Sequence, residues 1–331
     1  MNRLCVVTGA SGFIGQYVVH RLIERRARVR VLVRDPEKLP ASIRQHVEIV
    51  KGDIRVPTVV AKALCHADVV IHLAACAKAW SRDPSEFHDV NVRAVGTLLE
   101  EAERQAVDRL VHVSTILTLP AYRTAPINGR SKFPTPYETT KAAGERLVEA
   151  YAAAGRHAVI VHPTRVYGPG PLHDANGVTK AIALYLRGRL RLRLADGDAL
   201  GSYVHVDDVA EGIIRAAVRG HTGAHYVLGG ENASFRELLA LVSRVTGVHR
   251  RVLAIPPKVA LVAARATEVW GMFGGQVPIT PGWVRVLLED RRATFERAHA
   301  DLGYTPRLLE AGLTQTLAWL APGGRVRSGA S

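Results

Sequence analysis

Thr8-Gly9-Ala10-Ser11-Gly12-Phe13-Ile14-Gly15 sets three glycines three residues apart, directly after the apolar run Leu4 to Thr8 and at the start of a helical pattern. A turn without side chains lets the backbone bend sharply, approach a pyrophosphate and pack a helix tightly on a strand, while the helix amino terminus attracts negative charge. A glycine triplet alone means little, and its weight here comes from the strand before it and the helix after it. The segment predicts a dinucleotide cradle lined by Gly9, Ser11, Gly12, Phe13, Ile14 and Gly15.

The first half of the chain keeps the rhythm that such a cradle requires. Strand-like runs at Leu4 to Thr8, Val29 to Val33, Val47 to Val50, Val69 to Leu73, Arg109 to Ser114 and Ala158 to His162 alternate with helically spaced apolar residues. Strands alternating with helices predict an α/β protein with a Rossmann-type, doubly wound parallel sheet. The dinucleotide-binding domain is expected over residues 1–165, with 203–220 packing back on it, and a smaller α/β substrate domain over 166–331. In the second half Arg189, Arg191 and Arg193 alternate as they would on one face of a strand, and the segment 252–273 is apolar.

Arg34 ends the second strand, where an acidic residue would take the ribose hydroxyls of NAD. A guanidinium there pairs with a 2′-phosphate, assisted by Lys38, so NADP(H) is favoured over NAD(H); Asp35 next door keeps the ribose alternative open.

A second constellation supplies chemistry. Pro134-Thr135-Pro136 precedes Tyr137, and the helix formers from Glu138 onward place that tyrosine in a first helical turn with Lys141 four residues on, on the same face. A nearby ammonium lowers the pKa of a phenol, and a phenol within reach of a carbonyl is a general acid or base. The hydroxyl pair Ser114-Thr115 ends the fifth strand and supplies a candidate for holding the substrate oxygen.

Further segments extend the pattern: Gly52-Asp53-Ile54, His72-Leu73-Ala74-Ala75, Asn91, Pro163-Thr164-Arg165-Val166-Tyr167-Gly168-Pro169, and Tyr203 to Ala210. With these the chain resembles, over nearly its whole length, the extended short-chain dehydrogenase/reductases, and more loosely their dihydroflavonol reductase-like and 3β-hydroxysteroid dehydrogenase-like branches. The resemblance implies adenine contacts at Asp53 and Ile54, cofactor contacts at Leu73, Ala74, Ala75, Lys141, Pro163 and Val166, and Thr115 ahead of Ser114 as the catalytic hydroxyl. Relatives that dehydrate nucleotide sugars follow that threonine with Asp and Glu; Ile116 and Leu117 stand here and argue against dehydration. His162 occupies a position where many relatives carry arginine. Pairing through helices of the nucleotide domain, including the one after Tyr137, is the family expectation and predicts a homodimer.

Composition narrows the class. A chain of 331 residues, 47% of them hydrophobic, can bury a large core. No apolar stretch approaches the roughly 20 residues that span a bilayer, and no signal-peptide pattern opens the chain. Cys5, Cys65 and Cys76 are widely spaced, which fits reduced thiols in the cytoplasm and no metal site. The formal charge of +14 suits an anionic partner such as an acidic lipid, a phosphorylated substrate or a substrate on a phosphate-bearing carrier; its scatter argues against nucleic acid. The combined expectation is an NADPH-dependent reductase of a carbonyl on a largely hydrophobic small molecule. A nucleotide-sugar epimerase with tightly held NAD and a non-catalytic dinucleotide sensor are the alternatives.

Overall fold

The computed structural model describes residues 3–119, 135–172, 174–194, 199–277 and 279–321. Strands β1 (Leu4–Thr8), β2 (Arg28–Val33), β3 (Glu48–Lys51), β4 (Val69–His72), β5 (Arg109–Val113) and β6 (Ala158–Pro163) are joined through helices α1 (Phe13–Glu24), α2 (Ala41–Arg44), α3 (Pro57–Leu64), α4 (Ser85–His88), α5 (Ala94–Arg104) and α6 (Pro136–Ala153). All six pair in parallel, and a seventh strand, β10 (His225–Leu228), joins them, giving the spatial order β10-β6-β5-β4-β1-β2-β3.

Alternation along each strand builds two cores. Val7, Val31, Ile71, Val111 and Val161 face one side of the sheet, and Val6, Leu32, Val70, Leu110 and Ile160 face the other. A strand covered on both faces has no solvent side, which is why the central strands β1 and β4 are buried along their whole length.

The seventh strand, β10 (His225–Leu228), was not among the six read from the sequence. It has four residues and sits at the sheet edge beside β6, too short for periodicity to announce it. Helix α8 (Val206–Arg219) also returns to this layer, putting Val209, Ala210 and Ile213 into the same core as Val18 and Val19 of α1. Asp207 at its start receives Arg21 Nε at 2.8 Å and Arg307 Nη2 at 2.9 Å.

The other elements form a second body. Strands β7 (Arg165–Tyr167), β9 (Leu200–His205) and β11 (Glu231–Ser234) make a small mixed sheet. Helices α7 (Gly177–Leu186), α9 (Phe235–Thr246) and α13 (Leu309–Leu320) share a core around Tyr185, Leu238, Val242 and Leu313, and α12 (Glu296–Leu302) packs toward β10. A parallel pair of β8 (Leu192–Leu194) and β12 (Leu253–Ile255) leads into α10 (Pro257–Met272) and α11 (Pro281–Leu288). The arginine alternation therefore does not form one strand face, because β8 begins at Leu192 and leaves Arg189 and Arg191 ahead of it. Among the described residues no helix is long and apolar enough to cross a membrane.

Candidate active site

Helix α6 starts with a reciprocal cap: Thr135 Oγ1 accepts from Glu138 N at 3.1 Å, and Glu138 Oε2 accepts from Thr135 N at 3.1 Å. Pro136 takes the first helical position, so Tyr137 lies in the first turn, Lys141 one turn on and Glu145 one turn further, all on one face. Arg291, itself buried, donates from Nη2 to Glu138 Oε1 at 3.3 Å and ties the cap to the chain beyond α11.

That face meets the carboxyl end of β5. Lys141 Nζ donates to Val113 O at 2.9 Å and stands 3.2 Å from His112 Nε2. Burial pushes the ammonium down to about 8, against the opposing charge of Glu145. Burial, with the Lys141 charge beside it, holds His112 well below the usual imidazole range and therefore neutral.

Strand-end alternation sends Ser114 and Thr115 in different directions. The Ser114 hydroxyl donates to Glu145 Oε1, which also accepts Thr118 Oγ1 at 2.6 Å. Ser114 is thereby engaged with the helix. Thr115 is the hydroxyl on the Tyr137 side, where it acts to lower the phenol. It also caps the short turn Ile116–Thr118 by accepting from Leu117 N at 3.3 Å. The Tyr137 ring is half-buried, yet its hydroxyl lies deep enough for desolvation to push the phenol up to about 12, with the Thr115 bond opposing the rise. The charged neighbours Glu145 and Glu138 raise it further.

Behind these residues His162 Nδ1 lies 3.0 Å from Thr115 O and 3.7 Å from Glu145 Oε1. Its Nε2 lies 3.0 Å from His225 Nδ1, and His225 Nε2 lies 3.3 Å from Glu149 Oε1. Glu145, His162 and His225 each bring a ligand atom within 4.8 Å of the others. The facing imidazole nitrogens are already a hydrogen-bonded pair, so a polar network accounts for the trio without a metal ion. Burial pushes the Glu145 carboxyl up, while the Ser114 and Thr118 hydroxyls and Lys141 pull it down.

The glycine turn fits a dinucleotide. Gly9 has φ +71°, and a Cβ on it would stand 2.6 Å from Ala74 N; one on Gly15 would stand 2.2 Å from Gly9 O. Thr8 Oγ1 accepts from Ala74 N at 3.3 Å and pairs with His72 Nδ1 at 2.7 Å, tying the Leu73-Ala74-Ala75 segment to the turn. Gly12 caps α1 without a side chain, leaving the first N–H groups of the helix to an anion. Ser11, Phe13 and Ile14 flank that helix start.

At the adenosine end Arg34 is exposed, and its charge reaches Asp53 and Glu86. Asp35 turns its carboxylate to Glu37 N at 3.1 Å, capping the turn Pro36–Lys38, whose Lys38 ammonium lies 4.0 Å from it. Asp53 is held by Arg55, Nε to Oδ1 at 3.0 Å and Nη2 to Oδ2 at 2.8 Å, with Ile54 buried beside it. Pro163 ends β6 and Val166 lies in β7, both at the boundary of the two bodies. Asn91, within the π-helical turn Asp89–Arg93, accepts from Cys76 N at 2.8 Å and donates to Cys76 O at 3.1 Å and Thr140 Oγ1 at 3.0 Å. It fastens the segment after β4 to α6.

Three participants escaped the sequence reading. Glu145 extends the i, i+4 spacing of Tyr137 and Lys141 by one more turn and could have been found that way. Arg291 and Trp283 come from the second body without a local signal; Trp283 stacks on Tyr137 with centroids 6.5 Å apart. The loop Ala121 to Pro134, expected to border the site, lies outside the described residues.

Comparison with known proteins agrees with this geometry. The family profile described as "NAD dependent epimerase/dehydratase family" matches residues 5–229. "Sterol demethylase protein B" of Methylococcus capsulatus is 29% identical over 97% of this chain and 99% of its own length. The "4-hydroxy-2-methyl-3-oxo-4-farnesyl-3,4-dihydroquinoline-1-oxide ketoreductase" of Stigmatella aurantiaca is 30% identical over 96% of this chain and 97% of its own. Among solved structures, the crystal structure of gox2253 superposes with a TM-score of 0.80 at 27% identity, covering 98% of this chain and 100% of that one.

Proposed function

This chain belongs to the NAD dependent epimerase/dehydratase family, the extended short-chain dehydrogenase/reductases, as an NAD(P)-dependent oxidoreductase of CH–OH and C=O groups, and on that premise we propose that it is an NADPH-dependent ketoreductase of a largely hydrophobic small molecule. One observation carries the reading: Tyr137 and Lys141 lie one turn apart on the face of α6 that meets the end of β5, where Ser114 and Thr115 stand. A phenol that stays protonated across the neutral range is a proton donor, and a proton donor serves reduction of a carbonyl.

Bound nicotinamide supplies the hydride. Tyr137 Oη gives its proton to the substrate oxygen, and Thr115 Oγ1 holds that oxygen in place. The Lys141 ammonium, anchored on Val113 O, stabilises the phenolate that Tyr137 becomes and holds the nicotinamide ribose. Gly9, Gly12 and Gly15 admit the pyrophosphate, and Arg34 with Lys38 meets the 2′-phosphate that distinguishes NADPH.

The substrate reading rests on the apolar wall beside Thr115. Ile116 is buried, with half-buried Leu117 and Leu119, against Val227 and Ala293, and Trp283 covers Tyr137. The names of the relatives, a sterol demethylase protein and a ketoreductase of a farnesyl-bearing oxo compound, support an apolar ketone. The protein acts in the cytoplasm, where unpaired Cys5 and Cys76 stay reduced, as a homodimer, on a free or carrier-bound substrate.

The test titrates nucleotide-free protein with NADPH and NADH side by side, then follows NADPH oxidation with apolar ketones in wild type and Tyr137→Phe. Preference for NADPH, turnover, and its loss in the variant with cofactor affinity kept are the expected results. Protein that arrives loaded with NAD, or turnover undiminished in Tyr137→Phe, overturns the reading; the first outcome favours an epimerase.

A further inference from the structure

Helix α10 buries one face, and among the described residues nothing covers the opposite face. Ala260 and Ala264 pack against Val284 of α11, and a side chain on Gly271 would strike Val277 and Trp80. On the other side Val259, Val262, Val269, Trp270 and Phe273 are 55%, 69%, 56%, 65% and 83% exposed. At 3.6 residues per turn these five fall within about 100° of arc, and the exposed Ala263 and Ala266 fill the gaps between them. The stripe runs the length of the helix, ends in two aromatic rings, and carries no hydrogen-bonding group other than the Trp270 indole.

Its border is basic. Lys258 and Arg265 are exposed along one flank, and the Arg82 guanidinium reaches the aromatic end, where a Cβ on Gly274 would lie 2.9 Å from Arg82 Nη2. Glu268, half-buried, is the one acidic residue of α10. The whole chain carries +14.

We propose that α10 docks on the surface of a bilayer bearing anionic headgroups, with the Val259-to-Phe273 stripe entering the headgroup–acyl boundary and Lys258, Arg265 and Arg82 meeting the lipid phosphates. An amphipathic helix with aliphatic and aromatic side chains on one face and cations at its edge binds in this way, by apolar burial plus attraction to acidic lipid. A second copy of the chain fits less well. A two-fold axis through the stripe in an antiparallel pairing would set its basic borders against each other. The position of α10 gives docking a consequence. Its buried face rests on α11, which carries Trp283 over Tyr137, so a bilayer under α10 lies next to the cap of the site. An apolar substrate dissolved in lipid would then have a short path inward.

Docking is independent of the reaction assigned above, and its test needs neither substrate nor cofactor. The full chain is floated with vesicles of phosphatidylcholine alone and with vesicles containing about 30% phosphatidylglycerol, at low salt and at about 0.5 M salt. Wild type is expected to bind the anionic vesicles, with about ten-fold weaker binding to neutral vesicles or at high salt. Trp270→Glu/Phe273→Glu and Lys258→Glu/Arg265→Glu are each expected to lose about ten-fold in vesicle affinity with an unchanged melting temperature, since all four side chains face solvent. Absence of wild-type binding to anionic vesicles, or equal binding by both folded variants, overturns the proposal. So does a dimer that becomes monomeric in Trp270→Glu/Phe273→Glu, because the stripe would then be covered by a second copy.

Discussion

Trp283 lies over Tyr137 with ring centroids 6.5 Å apart and planes inclined by 22°, so a residue of the short helix α11 covers a phenol supplied by α6. The indole Nε1 is buried with no hydrogen-bond partner. Buried donors are rarely left unpaired, and this one borders the space a substrate would enter. Trp283→Ala is expected to raise KM for an apolar ketone about 2- to 10-fold, the range of one aromatic contact, with cofactor affinity unchanged. Trp283→Phe keeps the stacking and removes only the N–H. A KM restored by Phe assigns the effect to stacking, and a KM still raised assigns it to the donor.

Lys141 makes stability and activity depend on pH in a defined direction. Its ammonium is pushed from 10.5 down to about 8 by burial. Between those values the unfolded chain holds a proton that the folded chain has released, so this group's contribution rises with pH from about 8 toward 10.5. Cys5 works in the opposite sense above its ordinary value of 9.0, because burial pushes it up to about 12. Comparison with Lys141→Met cancels such terms. The variant is expected to melt higher than wild type at neutral pH, with the gap closing as pH rises through that window. Glu145→Gln removes the charge that holds the Lys141 value up, so the alkaline limb of kcat/KM, which reports the free enzyme, is expected to move to lower pH. A limb that stays in place would mean that another group produces it.

The parts visible in the sequence were those written in local spacing. Six parallel strands, the glycine turn between strand and helix, and Tyr137 four residues before Lys141 each need only a short window. Strand alternation also separates Ser114 from Thr115, but it cannot say that packing of α6 on β5 turns Ser114 to Glu145. Trp283 and Arg291 reach α6 from distant chain, and β10 is four residues at an edge, so no period marks them. The arginine alternation misled for a related reason: the turn after α7 consumes Arg187 to Leu190 before β8 begins.

Gly144 is where α6 touches the π-helical turn that carries Asn91. A Cβ there would stand 2.3 Å from Asn91 O, and backbone on both sides cannot retreat cheaply. Gly144→Ala is expected to cost about 1–3 kcal/mol and to loosen the Cys76 segment that Asn91 holds, weakening cofactor binding as well. Gly96 in α5 is the control, because its Cβ would meet only Leu147 Cδ1 at 3.9 Å. There alanine should gain about 0.5–1 kcal/mol of helix stability. Melting curves of the two variants should shift in opposite directions, and a shared direction would refute the packing argument.

On the proposed reading Arg34 is the contact for the 2′-phosphate, and its neighbours are otherwise engaged. Asp35 is occupied in capping the turn Pro36–Lys38, and Asp53 is paired with Arg55, so neither carboxylate is positioned to compete for the cofactor without giving up its partner. Charge-assisted hydrogen bonds contribute about 1.5–3 kcal/mol each, so Arg34→Ala should raise the Kd for NADPH about 10- to 100-fold. The Kd for NADH, which lacks the 2′-phosphate, should change by less than about 3-fold. Calorimetric titration of both cofactors against both proteins measures the four constants. Equal losses would place Arg34 at a part of the cofactor common to the two and move the nicotinamide preference back to Asp35.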